Sequence, residues 1–222
     1  MSEGRQAYCE VELASERLWL LADKAVYWPA RKMLIIADIH FGKAAAFRAL
    51  GVPVPRGTTT QNLLALDALL ATYACDEIIF LGDFLHARAA HAAATVAAML
   101  AWRARHPHLL LTVVRGNHDA HAGDPAAALD MRMADEPHQV GTLAFCHHPD
   151  TPAAGYVLAG HVHPVFHLRA ARGGLRLPCF LLGPGRAILP SFGAFTGGHA
   201  VQPAVDDRVY VTADAAIFAI PR

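Results

Sequence analysis

Two kinds of apolar pattern divide this chain. Met33–Ala37, Glu77–Leu81 and Leu109–Val114 are apolar almost without interruption. Short runs of that kind predict strands buried on both faces. The segments between them have helical spacing. Helices are expected at Ala44–Leu50 and Thr58–Thr72, with Thr58 placed to cap the second, and at Ala89–Arg105, where Val96, Leu100 and Trp102 stand at helical spacing and His106-Pro107 ends the run. The order strand, helix, strand, helix, strand predicts parallel pairing through right-handed crossovers. Residues 1–32 alternate apolar and polar around Arg17–Leu21 and Ala25–Trp28, which predicts a β-hairpin turning at Asp23-Lys24.

Beyond Asp119 the pattern changes. His121–Pro125 reads as a polar loop and Pro125–Asp130 as a short helix. Short strands are then expected at Thr142–His147, Gly155–Ala159, Val165–Leu168, Leu177–Leu182, Ala187–Leu189, Arg208–Val211 and Ala215–Ile220, with a Gly/Pro-rich loop region at Gly183–Gly198. No repeat or linker interrupts the chain, so residues 1–222 are read as a single domain of the α/β class.

Five of the expected strands end in polar residues of metal-ligand type. They are Asp38 and His40, Asp83, Asn117 and His118, His147, and His161 with His163. The first pair alternates in strand fashion, which predicts both side chains on one face. Open α/β sheets place their chemistry outside the carboxyl ends of their strands. A lone Asp after Gly is ordinarily a turn, and a lone His-Val-His an exposed strand. The weight lies in five such ends in one chain.

Composition sharpens this picture. The chain holds 14 His among 222 residues, more than ordinary usage supplies, and some of the excess is read as ligands. His91, His106, His108, His138, His167 and His199 read as surface or loop residues, while His86, His121 and His148 adjoin the motif residues. The 19 basic and 19 acidic residues balance, which excludes a whole-protein electrostatic footprint for nucleic acid and leaves room only for a local patch. Cys9, Cys75, Cys146 and Cys179 are scattered with no C-x-x-C pair and read as reduced. Met1–Glu10 lacks the order of a signal peptide, and no apolar stretch is long enough to span a bilayer, so a cytoplasmic protein is expected.

Nitrogen and oxygen ligands mixed in this way suit manganese, iron or zinc and suit calcium poorly. The set exceeds the needs of one ion. Asp83 is the acid expected to bridge, and two divalent ions about 3.5–4 Å apart would activate a bridging water and brace a phosphoryl group.

In order and spacing, D-x-H, G-D, G-N-H-D, H and G-H-x-H from Asp38 to His163 resemble the calcineurin-like metallophosphoesterase superfamily. The resemblance implies a four-layer α/β/β/α sandwich with two mixed sheets. It implies that Asp38, His40 and His163 hold one metal, that Asn117, His147 and His161 hold the other, and that Asp83 bridges. It makes His118 the proton donor to the leaving oxygen, supported by Asp119. Many members carry an acid three residues after the bridging Asp, where this chain has His86.

A narrower resemblance rests on Ala37–Lys43, Gly82–His86, Arg115–Asp119 and Phe192–Gly198. These look like the bacterial ligase-associated DNA damage response endonuclease clade (PdeM-like). That implies hydrolysis of DNA phosphodiester bonds by in-line attack of a metal-bridging hydroxide, two ions of which Mn2+ is the first choice over Fe or Zn, and functional association with a DNA ligase and a helicase in DNA repair. Two other functions fit the same residues: a phosphatase or phosphodiesterase for nucleotides or other small molecules, and a non-catalytic scaffold. A deep closed pocket would favour small molecules. An open groove carrying Arg169, Arg172, Arg176 or Arg186 would favour DNA.

Overall fold

The computed structural model describes residues 6–54, 57–170 and 173–221, with Arg169 and Ala170 described by their backbone alone. Arg172 and the side chain of Arg169, two of the expected groove residues, therefore lie outside what is described.

The first sheet runs in chain order: β1 (Tyr8–Leu13), β2 (Glu16–Leu21), β3 (Val26–Trp28), β4 (Met33–Ala37), β5 (Glu77–Leu81), β6 (Leu110–Val114) and β7 (Arg132–Ala134). The first four pair antiparallel, and β4 to β7 pair parallel, with Ile35 opposite Ile79 and Ile79 opposite Thr112. The expected hairpin is thus a three-stranded meander. Its extra strand, β1, alternates exposed and buried residues too weakly to stand out from the polar N-terminal segment.

Helices α1 (Lys43–Ala49), α2 (Thr58–Thr72) and α3 (Ala93–Arg105) connect the parallel strands, and α4 (Asn117–Ala122) follows β6 directly. The continuous apolar runs now have their reason. Leu34, Ile36, Ile78, Phe80, Leu111 and Val113 face Leu63, Leu66 and Leu69 of α2 and Met99 and Trp102 of α3. The alternate residues Met33, Ile35, Ile79, Leu81 and Val114 face a second sheet. Each central strand feeds two cores, so both parities are largely apolar.

Three helical details differ from expectation. Thr58 is the first helical residue and Gly57 the cap, with no side-chain capping bond. A 3-10 turn at Arg88–His91 precedes α3, and Thr95, Met99 and Trp102 form its buried face. The expected helix at Pro125–Asp130 is a 3-10 turn at Ala127–Leu129.

The second sheet comprises β8 (His138–Val140), β9 (Leu143–Cys146), β10 (Tyr156–Ala159), β11 (Pro164–Ala170), β12 (Gly173–Leu182), β13 (Arg186–Ile188), β14 (His199–Ala200), β15 (Arg208–Ala213) and β16 (Ala216–Ala219). It is mixed: β9, β10 and β13 pair parallel, while β12 pairs antiparallel with β11, β13 and β15. Leu143, Phe145, Leu158, Phe180 and Leu182 supply its half of the inter-sheet core. Its outer face carries small apolar clusters such as Ala144, Cys146, Val157 and Ala159. The expected α/β sandwich of two mixed sheets is present, and the described helices gather on the first sheet. The short strands β7, β8 and β14 have no apolar run and were not expected. Among the described residues no helix is long and apolar enough to cross a membrane.

Candidate active site

The ends of β4, β5, β6, β9 and β10 meet along one rim, because the two sheets pack face to face and these strands are neighbours within them. Asp38 and His40 do not reach it by strand alternation, since β4 stops at Ala37. Both have left-handed backbones, with φ of 53° and 50°. Asp83 (49°), His161 (66°) and His163 (50°) share that conformation. It costs a non-glycine residue about 1–2 kcal/mol. It also turns the chain sharply at the strand end, which alternation cannot do. Five of the seven expected ligands being held this way marks a site maintained against local preference.

Two clusters result. In the first, ligand atoms of Asp38, His40, Asp83 and His163 lie within 4.8 Å of one another. His163 Nε2 is 3.3 Å from Asp38 Oδ1 and 3.4 Å from His40 Nε2. The Asp38 carboxylate, fully buried, also accepts the backbone N–H of His161.

The second cluster centres on His147, also fully buried. Its Nδ1 lies 3.0 Å from the Leu81 carbonyl, which fixes the proton on Nδ1 and leaves a lone pair on Nε2. That nitrogen faces Asn117 Oδ1 at 2.9 Å, His161 Nδ1 at 3.0 Å and Asp83 Oδ1 at 3.4 Å. Lone pairs converging at these distances suit a cation between them, and this mixed donor set fits a first-row divalent metal. Asp83 joins the clusters: Oδ2 is 3.7 Å from His40 Nε2 while Oδ1 faces His147. The approach to His147 is so close that a Cβ on Gly82 would lie 2.2 Å from His147 Nδ1, and Gly82 itself has φ 74°.

His118 sits on the first turn of α4, where its backbone N–H bonds Asp83 Oδ1 at 2.9 Å. Its ring Nδ1 is 2.7 Å from the His86 carbonyl, which directs Nε2 toward Asp83 Oδ2, 3.8 Å away. The ring is 37% exposed and reaches the open cleft beside the clusters. Asp119 supports it through the backbone and not through the ring. That buried carboxylate accepts the backbone N–H groups of Phe84, Leu85 and Gly116, tying the β5 loop to the β6 loop. Burial raises its pKa.

His86 packs its ring on His118, with centroids 4.6 Å apart and planes 22° apart, and brings Nδ1 within 3.4 Å of His40 Nδ1. Burial, then the neighbouring His118 and Lys43, lowers its pKa to about 4. Burial likewise holds His40 far below the usual imidazole range and lowers His161, so these rings offer lone pairs at neutral pH. His121 is tied back to the Asn117 carbonyl at 2.7 Å and lines the cleft with His118. Of the histidines expected on the surface or in loops, His106 follows α3 and is held by Asp67 at 2.7 Å.

Two parts of the site have roles that the sequence did not show. Glu136, eleven residues before His147, accepts the backbone N–H groups of His147 and His148 at 2.7 and 2.9 Å and holds His148 Nδ1 at 2.6 Å. Burial opposes its ionisation, but the bonds from His148 and the two amides outweigh it and hold its pKa below the usual value. The stretch Ser191–Ala194 clamps the Asp38 turn: Phe192 N–H bonds the Ala37 carbonyl, and Ser191 Oγ and Gly193 N–H bond the Asp38 carbonyl. A Cβ on Gly193 would lie 2.8 Å from the Ile39 carbonyl, so the glycine there serves close approach. Of the expected groove arginines, Arg176 bonds the Gly198 carbonyl near His163, whereas Arg186 is paired with Asp150.

Residues 31–145 match the family model described as calcineurin-like phosphoesterase. The chain is similar to the crystal structure of Pseudomonas putida nuclease MPE, with 47% identity, a TM-score of 0.86, and coverage of 96% of this chain and 100% of that one. A protein of unknown function from Aquifex aeolicus, AQ665, matches at 16% identity and a TM-score of 0.39 over 64% of this chain and 81% of its own. No protein of curated function matches.

Proposed function

The chain belongs to the calcineurin-like phosphoesterase family, and on that premise we propose that it is a two-metal phosphodiesterase that cleaves DNA. The observation that carries the reading is Asp83, one carboxylate with an oxygen turned to each of two ligand clusters. Asp38, His40 and His163 would hold one ion, and Asn117, His147 and His161 the other. When bound, two divalent ions supply a water of lowered pKa and neutralise charge on a phosphoryl group. Mn2+ is the first choice for this nitrogen-plus-oxygen set, with Fe or Zn next.

The chain's own residues do the rest. His118 delivers a proton from Nε2 to the departing oxygen, its ring oriented by the His86 carbonyl. Asp119 and Glu136 are positioning residues that hold the loops bearing His118 and His147. The cleft is open and not a closed pocket, and its wall includes Arg88 and Leu50, which is 81% exposed. Phe47 stacks on His86 beside it. A shallow apolar wall suits unpaired bases, so exposed or single-stranded DNA is the preferred form. The likeness to a nuclease over nearly the whole chain supports this substrate. A role in cytoplasmic DNA repair beside a ligase and a helicase extends the same reading, and four free cysteines fit that compartment.

The test is kcat/KM for single-stranded DNA, a 2′,3′-cyclic nucleotide and a phosphomonoester at one manganese concentration. Single-stranded DNA is expected to lead. A lead of more than about tenfold for either small substrate, about 1.4 kcal/mol in transition-state binding, would replace the DNA reading with a small-molecule one.

A further inference from the structure

A second cavity, of about 210 Å³, has His163 in its wall. Lys24, His163, Arg176, Thr196, Gly197 and Gly198 line it, and no carboxylate does. Lys24 comes from the turn between β2 and β3 and is largely buried. It spends one N–H on the Phe192 carbonyl at 2.9 Å and keeps two donors. Burial lowers its pKa, the expected cost of holding an ammonium group there without a bonded acid. Among the described residues the amide groups of Gly197 and Gly198 have no acceptor, and Thr196 Oγ1 is buried without a partner. Arg176 reaches in from β12 and is anchored by the Gly198 carbonyl.

Ammonium, guanidinium and free amides around one cavity make a site for a compact anion. Its position decides which anion. The cavity shares His163 with the first ligand cluster, and the Phe192–Gly198 stretch that walls it also clamps Asp38. We propose that this cavity is a subsite for the phosphate next to the scissile one in the same DNA strand. The proposal rests on the nuclease reading and adds to it that the enzyme grips the strand one phosphate beyond the cut. It also explains how a chain of zero net charge grips a polyanion, by one built contact and not by a basic face.

The test uses metal-loaded full-length protein and three substrates: a thymidine dinucleotide with only its internal phosphodiester, the same with a 5′-phosphate, and the same with a 3′-phosphate. One phosphorylated form should exceed the plain dinucleotide in kcat/KM by about tenfold or more, the scale of one charge-assisted contact. In Lys24→Gln, whose amide can still donate to the Phe192 carbonyl, and in the exposed Arg176→Gln, that ratio should fall toward one. Unchanged melting temperatures would show that the variants fold. Equal rates on all three substrates in the unaltered enzyme, or a ratio that neither variant lowers, overturns the subsite and leaves the nuclease reading intact. No cleavage of any dinucleotide alongside efficient monoester hydrolysis overturns both.

Discussion

Replacing His118 by Asn isolates the proton-transfer step. The backbone N–H of residue 118, not its ring, bonds Asp83 Oδ1 at 2.9 Å, so the bridge geometry survives the change. The ring's own tie is to the His86 carbonyl at 2.7 Å, and Asn retains a donor for that side. Metal content and folding should therefore persist. What goes is a nitrogen 3.8 Å from Asp83 Oδ2, placed at the cleft to protonate a departing alkoxide. General acid catalysis contributes about 10² to 10⁴-fold, so kcat on DNA should fall by that factor, about 3–5 kcal/mol at 1.36 kcal/mol per decade. p-Nitrophenolate leaves with little need of a proton, so the loss on bis-p-nitrophenyl phosphate should be smaller by at least about one decade. The assay is single-turnover hydrolysis of both diesters by His118→Asn with its metal content measured. Equal losses on the two, with both metals retained, would refute the proton-donor role.

The positioning residues predict different signatures. Asp119→Ala takes the acceptor from three buried amides, each worth about 1 kcal/mol or more, so the melting temperature should drop by roughly 6–12 °C at about 2–4 °C per kcal/mol; a drop under about 2 °C would show that the tie is dispensable. Glu136→Ala should weaken metal affinity about 10–100-fold, read by titration of stripped protein, while His148→Ala, which loses only one of the three contacts, should do less. Gly82→Ala must push His147 away and should abolish metal retention in that cluster; full metal content in a folded Gly82→Ala would contradict the geometry. The folded-state pKa values of His40, His86 and His161 lie below the usual 6.5, with His86 at about 4. Their contribution to stability is thus complete above pH 6.5 and is lost as pH falls from there toward 4. Melting curves of metal-free protein from pH 8 to 4 should show this decline, and a flat profile would count against neutral buried rings.

The central strands and their polar tips were legible because each demand leaves a simple pattern. Ile35 and Leu34 face different cores, so the whole run must be apolar, and Asp38, Asp83 and Asn117 then stand out at its end. The backbone conformation of those tips was not legible. Strand alternation places Asp38 and His40 together on paper, but left-handed turns place them in fact. The resemblance implied that Asp119 supports His118; its carboxylate does so through the amides of the two loops, while the His86 carbonyl holds the ring. A backbone carbonyl has no letter in a sequence. Glu136 was hidden for a related reason: it acts on amides eleven residues away, through the β8–β9 hairpin, whose pairing of His138 with Phe145 sets Glu136 opposite His147. Phe192–Gly198 was visible as a Gly-rich stretch, but its purpose as a clamp on Asp38 needed the packing.

The account turns on one carboxylate serving two clusters. The most direct test is the metal stoichiometry of Asp83→Ala beside His40→Ala and unaltered protein, by elemental analysis after manganese loading and exhaustive dialysis. Two equivalents are expected in the unaltered protein, about one lost in His40→Ala, and neither ion held in Asp83→Ala, with hydrolysis of bis-p-nitrophenyl phosphate lost in step. Two equivalents retained by folded Asp83→Ala would contradict the bridge and, with it, the two-metal phosphodiesterase.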